Sequence, residues 1–377
     1  MLCAFLAYCA ILLGQYDASA QEDRRDTKGL AKSQNVAVAY VNLIGGQDDL
    51  VFDGDSFFVD ANQKLIGRGA QFETALSLFD IVSKTEIVPV TPSAQHKHDD
   101  LWQIWNALTL GLRDYVNKNG FKSVILGLSG GIDSAVCAAL AVDAIGAHRV
   151  FGVSMPSKYS SDHSKSDAFD LAKRLGINIR TEPIKGAVKE LEKQLKLKDL
   201  SAENLQARVR GTILMSLSNQ EGHLTLTTGN KTELAVGYST IYGDSVGGFA
   251  PIKDVAKTLV WQLATWRNLQ ATNNGATPPI PENSITKPPS AELRPGQVDQ
   301  DSLPEYDVLD EILAAYLERR LSGNEIKSLG FDGATVDRVI SLVDRAEWKR
   351  RQGAIGPKIT GMAFGRDRRL PITNQYK

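Results

Sequence analysis

The sequence predicts an α/β fold: a doubly wound parallel sheet preceded by a shorter, β-rich segment. Three observations carry this expectation. From about residue 100 onward, short β-branched runs alternate with helical apolar patterns, the rhythm of parallel strands joined by crossover helices. One of those strands runs directly into a glycine-rich corner and a small-residue helix, SVILGLSGGIDSAVCAAL (123–140). Before about residue 80 the runs are shorter, and turn residues rather than helical patterns separate them.

VAVAYVNLI (36–44), LVFDGDSFFVD (50–60) and KLIGRG (64–69) read as the strands of the front section. The polar passage TPSAQHKHDD (91–100) reads as a linker and divides the chain into a front section (1–90), a linker (91–99) and a main domain (100–377). DLWQIWNALTLGLRDYVNKNG (100–120) opens the main domain as a helix, with Leu101, Ile104, Trp105, Leu108 and Leu112 at helical spacing and a terminal glycine. Strands at 123–128, 149–155 and 177–184 alternate with helices at 133–145 and 162–175. A helix (203–219), a strand (224–229), a helix (254–269) and two late helices (303–321 and 334–351) follow. The Pro-rich stretch TPPIPENSITKPPSAELRPG (277–296) is too polar and interrupted for core, and reads as a linker or a lid.

A formal net charge of -1 with 23% charged residues gives no electrostatic footprint for nucleic acid or an anionic membrane, so an anionic ligand has to be held by local groups. The three cysteines, Cys3, Cys9 and Cys137, have no zinc, CxxC or disulfide spacing, which fits a reducing, cytoplasmic setting. The opening MLCAFLAYCAILLGQYDASAQ has an apolar run and an A-x-A triplet at Ala18–Ala20, but no Lys or Arg precedes Arg24. It lacks the charged start of a secretory signal and is too short to span a bilayer, which takes about 20 apolar residues.

The corner at Ser129 is where chemistry is expected. Gly130 and Gly131 let backbone approach a ligand closely, Ser129 and Ser134 add hydroxyls, and the following helix presents unpaired N–H groups, which together suit phosphate. The spacing matches neither GxxxxGK[ST] nor GxGxxG. Asp133 beside phosphates is repulsive unless a divalent cation lies between, so Mg2+ and pyrophosphate are the expected guests.

SGGIDS resembles the PP-loop of the N-type ATP pyrophosphatases, with their adenine nucleotide alpha hydrolase-like fold. ENLQARVRG (203–211), LTTGNKTELAVGYSTIYGDSVGGFAPIKDVAKT (226–258), KPPSAELRPGQVDQDSLPEYDVLD (287–310) and EWKRRQGAIGPKIT (347–360) further resemble the synthetase half of the glutamine-dependent NAD synthetases. This resemblance implies amidation of deamido-NAD: MgATP adenylates the nicotinate carboxylate, releasing pyrophosphate, and ammonia then displaces AMP. It implies an ATP cradle of Gly127, Leu128, Ser129, Gly130, Gly131, Ile132, Asp133 and Ser134, completed by Thr228, Lys257 and Ser290. Asp133 and Glu233 are the implied metal ligands, with Asp133 and Lys257 the catalytic pair. Asn204, Glu233 and Lys349 are implied for deamido-NAD. Asn204 and Arg208 share one helix face and Arg210 lies nearly opposite. Ile241 stands where ammonia-only relatives often carry lysine.

VAYVNLIGGQDDLVFDGDSFFVD (38–60) resembles the last third of the nitrilase-like glutaminase domain that supplies ammonia in this family. That domain's Glu-Lys-Cys triad has no counterpart here, since Cys3 and Cys9 are each followed by alanine rather than an acidic pair. AILLGQYDASA (10–20) matches the strand and turn after the nucleophile, and Ser19 and Arg25 match glutamine-contacting positions. The expectation is a truncated glutaminase segment before a working synthetase that uses ammonia, glutamine serving the full-length relatives. Homo-oligomers are implied, with no nucleic acid or membrane partner. The rival readings are a non-catalytic nucleotide-binding remnant and another PP-loop amidotransferase or thiolase. The thiolases bring paired cysteines, which the main domain lacks.

Overall fold

The computed structural model describes residues 20–94 and 98–373 and, within them, the side chains of all but residues 20–26 and Asp162. Cys3, Cys9, Ser19, the side chain of Arg25 and the apolar start lie outside the described residues.

The front section opens with helix α1 (Ala20–Gln34). Strands β1 (Val38–Tyr40), β4 (Phe57–Val59) and β5 (Leu65–Arg68) form an antiparallel sheet, and β2 (Ile44–Gln47) with β3 (Leu50–Asp53) and β6 (Phe79–Ile81) with β7 (Ile87–Pro89) form two hairpins. The three runs expected as strands hold β1, β3, β4, β5 and the first residue of β2, the second run being split into β3 and β4, and they include neither α1 nor the β6–β7 hairpin. That hairpin leaves Leu76, Ile81, Val82 and Val90 exposed.

The main domain begins with α2 (Asp100–Lys118), whose N-terminus is capped by Asp99 accepting from Trp102 N–H at 2.7 Å. Then come β8 (Val124–Gly127), α3 (Ile132–Ile145), β9 (Val150–Ser154), α4 (Asp162–Leu175) and β10 (Asn178–Thr181). Next are α5 (Lys185–Leu195), α6 (Asp199–Glu221) and β11 (Leu224–Thr225). The strands form one parallel sheet in the order β10-β9-β8-β11. Val124, Leu126 and Val150 point to one face, into a core shared with α2 and α3, whereas Ile125 and Val153 point to the other, against α5 and α6. This period-2 division makes the sheet doubly wound, as expected.

Helix α7 (Lys231–Val236), α8 (Lys257–Asn273) and α9 (Glu282–Thr286) lead to a C-terminal layer of α10 (Tyr306–Leu313), α11 (Gly323–Ser328), α12 (Gly333–Arg345) and α13 (Glu347–Arg350). The single helix expected over 303–321 is shorter, because α10 passes into a π-helical turn at Ala314–Glu318. The strand expected over 224–229 stops at Thr225; Leu226 N–H still bonds Ile125 O at 2.9 Å, and the backbone then turns its pairing to Phe249, whose carbonyl accepts from Thr227 N–H at 3.0 Å. Among the described residues no helix is long and apolar enough to cross a membrane.

Front section and main domain share a core: Val51 and Phe72 are buried with the α2 and α3 side chains. Asp114 accepts from Gly46 N–H at 2.8 Å, and Lys118 donates to Gly46 O at 2.6 Å.

Arg350, its side chain 2% exposed, ties the C-terminal layer to α7. It donates to Ala235 O at 2.8 Å, Val343 O at 2.7 Å and Glu347 Oε2 at 3.0 Å. Arg350→Met is expected to cost about 3–5 kcal/mol, because it strands buried carbonyls and removes a buried partner of Glu347. The more exposed Arg351, also paired with Glu347, is expected to cost no more than about 1 kcal/mol as Arg351→Ala. Urea midpoints with unchanged slopes check both values.

Candidate active site

The parallel sheet has one place where its chain order reverses. β8 is followed by its neighbour β9 on one side, whereas its other neighbour, β11, arrives much later. Loops leaving the carboxyl ends of β8 and β11 diverge there, and a ligand cleft is expected between them. A cavity of about 320 Å³ lies at this point, lined by Gly127–Ser129, Asp133, Thr228, Glu233, Lys257 and Ser290 among others.

The corner after β8 is built by two glycines with different tasks. Gly130 has φ 78°, and a Cβ there would lie 2.3 Å from Ser164 O, so the loop and α4 approach as closely as they do only because no side chain intervenes. Gly131 is the N-cap of α3 at φ −81°, and no side chain caps that helix. By contrast, α2, α4 and α7 are capped by Asp99, Ser161 and Asn230. The first-turn N–H groups of α3, at Ile132, Asp133 and Ser134, therefore lack a side-chain acceptor at the end of the helix where an anion is favoured. Ser129 Oγ accepts from Gly131 N–H at 3.1 Å, and Ser134 Oγ donates to Gly131 O at 2.9 Å, which fixes the loop.

Asp133, in the first turn of α3, joins the cradle to a charged cluster. Lys257, its side chain 1% exposed, bonds Asp133 Oδ2 and lies 3.7 Å from Glu233 Oε1. The faces of Trp261 and Tyr306 close the box, with ring centroids 5.5 and 5.4 Å from Nζ. Burial alone would lower the ammonium's pKa, but Asp133 and Glu233 outweigh it and push the pKa up. Glu233 is pushed up too, by burial first and by Asp133 second, against the pull of Lys257. Asn230 holds both carboxylates in place: its Nδ2 donates to Asp133 Oδ1 at 2.9 Å, and it forms a capping box with Glu233. Thr232 accepts from Lys257 N–H at 2.9 Å and donates to Asp310, which also accepts from Thr258 N–H and Oγ1 at 2.8 Å. Asp310 thus sets the starts of α7 and α8 together. Cys137 lies buried beneath, its thiol pushed up by burial and then by Asp133 and Glu233, so it is no nucleophile.

Of the residues named from sequence, Gly127, Leu128, Ser129, Gly131, Ile132, Asp133, Ser134, Thr228, Glu233, Lys257 and Ser290 line the cavity. Gly130 shapes it, its carbonyl accepting from Ser284 Oγ at 3.0 Å. Asn204 and Lys349 do not reach its wall. Asn204 accepts from Thr240 Oγ1 at 2.7 Å, and Lys349 donates to Gly237 O and Ser239 O at 2.7 Å each, so both hold the loop that does. Arg208 faces the same loop, at Ile241 O 3.2 Å away, while Arg210 lines the cavity from the other side of α6. Sequence reasoning missed Asn230, Arg210 and Lys287. Only Asn230 left a local signal, the N-x-x-E pattern of a capping box.

Two carboxylates facing one cavity suit a cation bound partly by a ligand's phosphates, as Mg2+ usually is. Among the described residues no group of three acidic, His or Cys side chains converges, so a full protein cage is not the pattern here.

A family model described as NAD synthase matches residues 104–353. Curated glutamine-dependent NAD(+) synthetases of Acinetobacter baylyi and Synechocystis sp. are 50% and 48% identical over 357 and 352 residues, each alignment covering 92% of this chain. The chain spans 64% and 62% of the lengths of those two relatives. A solved glutamine-dependent NAD+ synthetase from Acinetobacter baumannii, in complex with ADP, is 45% identical with a TM-score of 0.68, over 96% of this chain and 66% of that one.

Gly130→Ala is expected to cost at least about 2 kcal/mol, from a left-handed alanine and the overlap with Ser164 O. Gly131→Ala, whose Cβ meets nothing nearer than Ser129 Oγ at 3.2 Å, is expected to stay within about 1 kcal/mol of the parent. Urea unfolding of the two variants side by side checks the contrast.

Proposed function

The chain belongs to the NAD synthase family, and on that premise we propose that it makes NAD by ATP-dependent amidation of deamido-NAD. A carboxylate oxygen of the nicotinate end attacks the α-phosphorus of ATP, the bond to the β-phosphate breaks, and pyrophosphate leaves with those electrons. Ammonia then adds to the acyl-adenylate carbonyl, loses a proton, and AMP departs. The observation that carries this reading is that the uncapped α3 N-terminus and the Lys257–Asp133–Glu233 cluster line one cavity.

The chain's own residues have separable tasks in this reaction. The α3 amides and the Ser129 hydroxyl are donors for phosphate oxygens, already placed before charge develops on them, and Ser134 fixes the loop that carries them. Lys257 supplies a fixed positive charge whose direction Asp133 and the two aromatic faces set. Thr228 and Ser290 close the ATP site. Asn204 and Lys349 act through the loop at 237–246, which we assign to the deamido-NAD end together with Glu233. Asp133 and Glu233 would hold Mg2+, which when bound neutralises the charge of the departing pyrophosphate.

We further propose that 1–90 is a nitrilase-like segment, that 91–99 links it to the synthetase domain 100–377, and that ammonia is the nitrogen donor. A cytoplasmic homo-oligomer is the assembly this reading expects. A non-catalytic remnant is disfavoured by the complete cluster of Asp133, Glu233 and Lys257.

The test is NAD formation from deamido-NAD and MgATP with ammonium or with glutamine as nitrogen source. Ammonium is expected to support product, and Asp133→Ala to lower the rate by at least about 100-fold through loss of charge stabilisation at the phosphates. A folded protein that makes no NAD with ammonium would sink the catalytic reading.

A further inference from the structure

Two of the cavity's walls come from distant parts of the chain. One includes Ser160, Ser164 and Lys165 around the start of α4, and the other is the Pro-rich strap from Lys287 to Leu293. Side chains join them directly. Glu292 Oε1 accepts from Ser161 Oγ at 2.9 Å and from Ser164 Oγ at 2.7 Å, and Oε2 accepts from Ser161 N–H at 3.3 Å. Ser161 is the N-cap of the 14-residue helix α4, so the carboxylate also meets the favourable end of a helix dipole.

The other bonds of the strap do different work. Lys287 pins its beginning, donating to Ser164 Oγ at 3.1 Å and Asp167 Oδ2 at 3.2 Å. Ser290 Oγ donates to Gln297 O at 2.6 Å, and Leu293 N–H donates to Gln297 Oε1 at 2.8 Å, which shapes the turn without tying it to α4. Gln206 holds Leu293 O from α6 at 3.0 Å. Glu292 fastens the middle of the strap to the opposite wall, and it does so from a left-handed backbone at φ 48° that the side chain's bonds help to sustain.

We propose that Glu292 is a positioning residue whose carboxylate latches the 287–297 strap to Ser161 and Ser164, keeping the cavity closed while an adenylated intermediate occupies it. The latch is a property of the free protein. Its consequence for turnover rests on the proposed reaction. Ammonia and water attack the same acyl carbon and both expel AMP, each losing a proton, but ammonia leaves the amide whereas water returns the carboxylate. The ratio of AMP to NAD therefore reports how well the cavity excludes water.

The experiment uses the full chain with Glu292→Ala, Glu292→Gln, Ser164→Ala and the Glu292→Ala/Ser164→Ala double variant. Amide hydrogen exchange across 287–297 is measured without substrates, and AMP and NAD are measured with ammonium chloride, deamido-NAD and MgATP. Glu292→Ala is expected to exchange about 10-fold faster in the strap, Glu292→Gln less so because it keeps an acceptor, and the double variant to exceed Glu292→Ala only around Lys287, whose bond to Ser164 it also removes. AMP per NAD is expected to rise at least about threefold in Glu292→Ala, with KM for ATP changed less than this ratio. Unchanged strap exchange, or faster exchange with the parent's AMP-to-NAD ratio, overturns the proposal. Should Glu292→Ala fail to fold, Ser164→Ala decides by the same readings. If the parent protein makes no NAD, the reaction is refuted and strap exchange alone decides whether the latch exists.

Discussion

The Lys257 ammonium, its side chain 1% exposed, has to be balanced where it lies. Desolvating a cation costs several kcal/mol that only close, well-placed anions and ring faces return. Here α3 brings Asp133, α7 brings Glu233, and α8 and α10 bring the faces of Trp261 and Tyr306. These four helices must therefore meet at one point, and Asp310 locks two of them through Thr232 and Thr258. Two carboxylates face this one ammonium, and the Glu233 carboxyl is pushed up by burial first and by Asp133 second. Two carboxylates set around one ammonium are suited to a cation arriving with a polyphosphate.

That requirement explains what could and could not be read from the sequence. The corner from Leu128 to Ser134 was legible because a strand, two glycines and a helix start are consecutive, and their geometry is local. The partners of Asp133 were not, because Asn230 and Lys257 reach it across 97 and 124 residues. Resemblance to known motifs supplied Lys257, Glu233 and Thr228, while Asn230 went unnamed. Helical period correctly put Asn204 and Arg208 on one face of α6 and Arg210 on the other. Periodicity cannot say which face meets the ligand, and it is Arg210 that lines the cavity. There burial lowers the pKa of its guanidinium, against the charges of Glu292 and Asp244. The break after α10 was equally hidden, since Ala314–Glu318 carries no proline or glycine to announce a π-helical turn.

The front section shows how far alternation of apolar residues alone can be trusted. Its strands were legible, yet their burial divides unevenly. Val51 and Phe72 enter the main core, and Tyr40, Phe57 and Val59 form a small cluster with Ala31. The β6–β7 hairpin buries Ile87 and sets Phe79 against Phe58 but, among the described residues, leaves Ile81, Val82 and Val88 exposed, as a two-stranded ribbon buries little. What anchors this section is polar and close-packed. Gly46 lies so near α2 that a Cβ there would meet Gly111 Cα at 2.9 Å, while Asp114 and Lys118 hold its backbone.

The strap over the cavity uses a different kind of adhesion from the core beneath it, and the proposed reaction gives a reason for it. A wall sealed by buried aliphatic side chains would open only at the cost of exposing them, at about 25 cal/mol for each Å². The strap turns mainly polar contacts to its neighbours: Lys287, Glu292 and Leu293 O reach Ser164, Asp167, Ser161 and Gln206 through hydrogen bonds. Water replaces such bonds at little net cost when the wall opens, since each is worth only about 0.5–3 kcal/mol. The three prolines at 288, 289 and 295 reduce the freedom gained on opening and so favour return to the same closed shape. In the proposed reaction, reversible polar adhesion on a stiff strap would reconcile two opposed demands on one cavity, admission of large charged substrates and exclusion of water from a reactive intermediate.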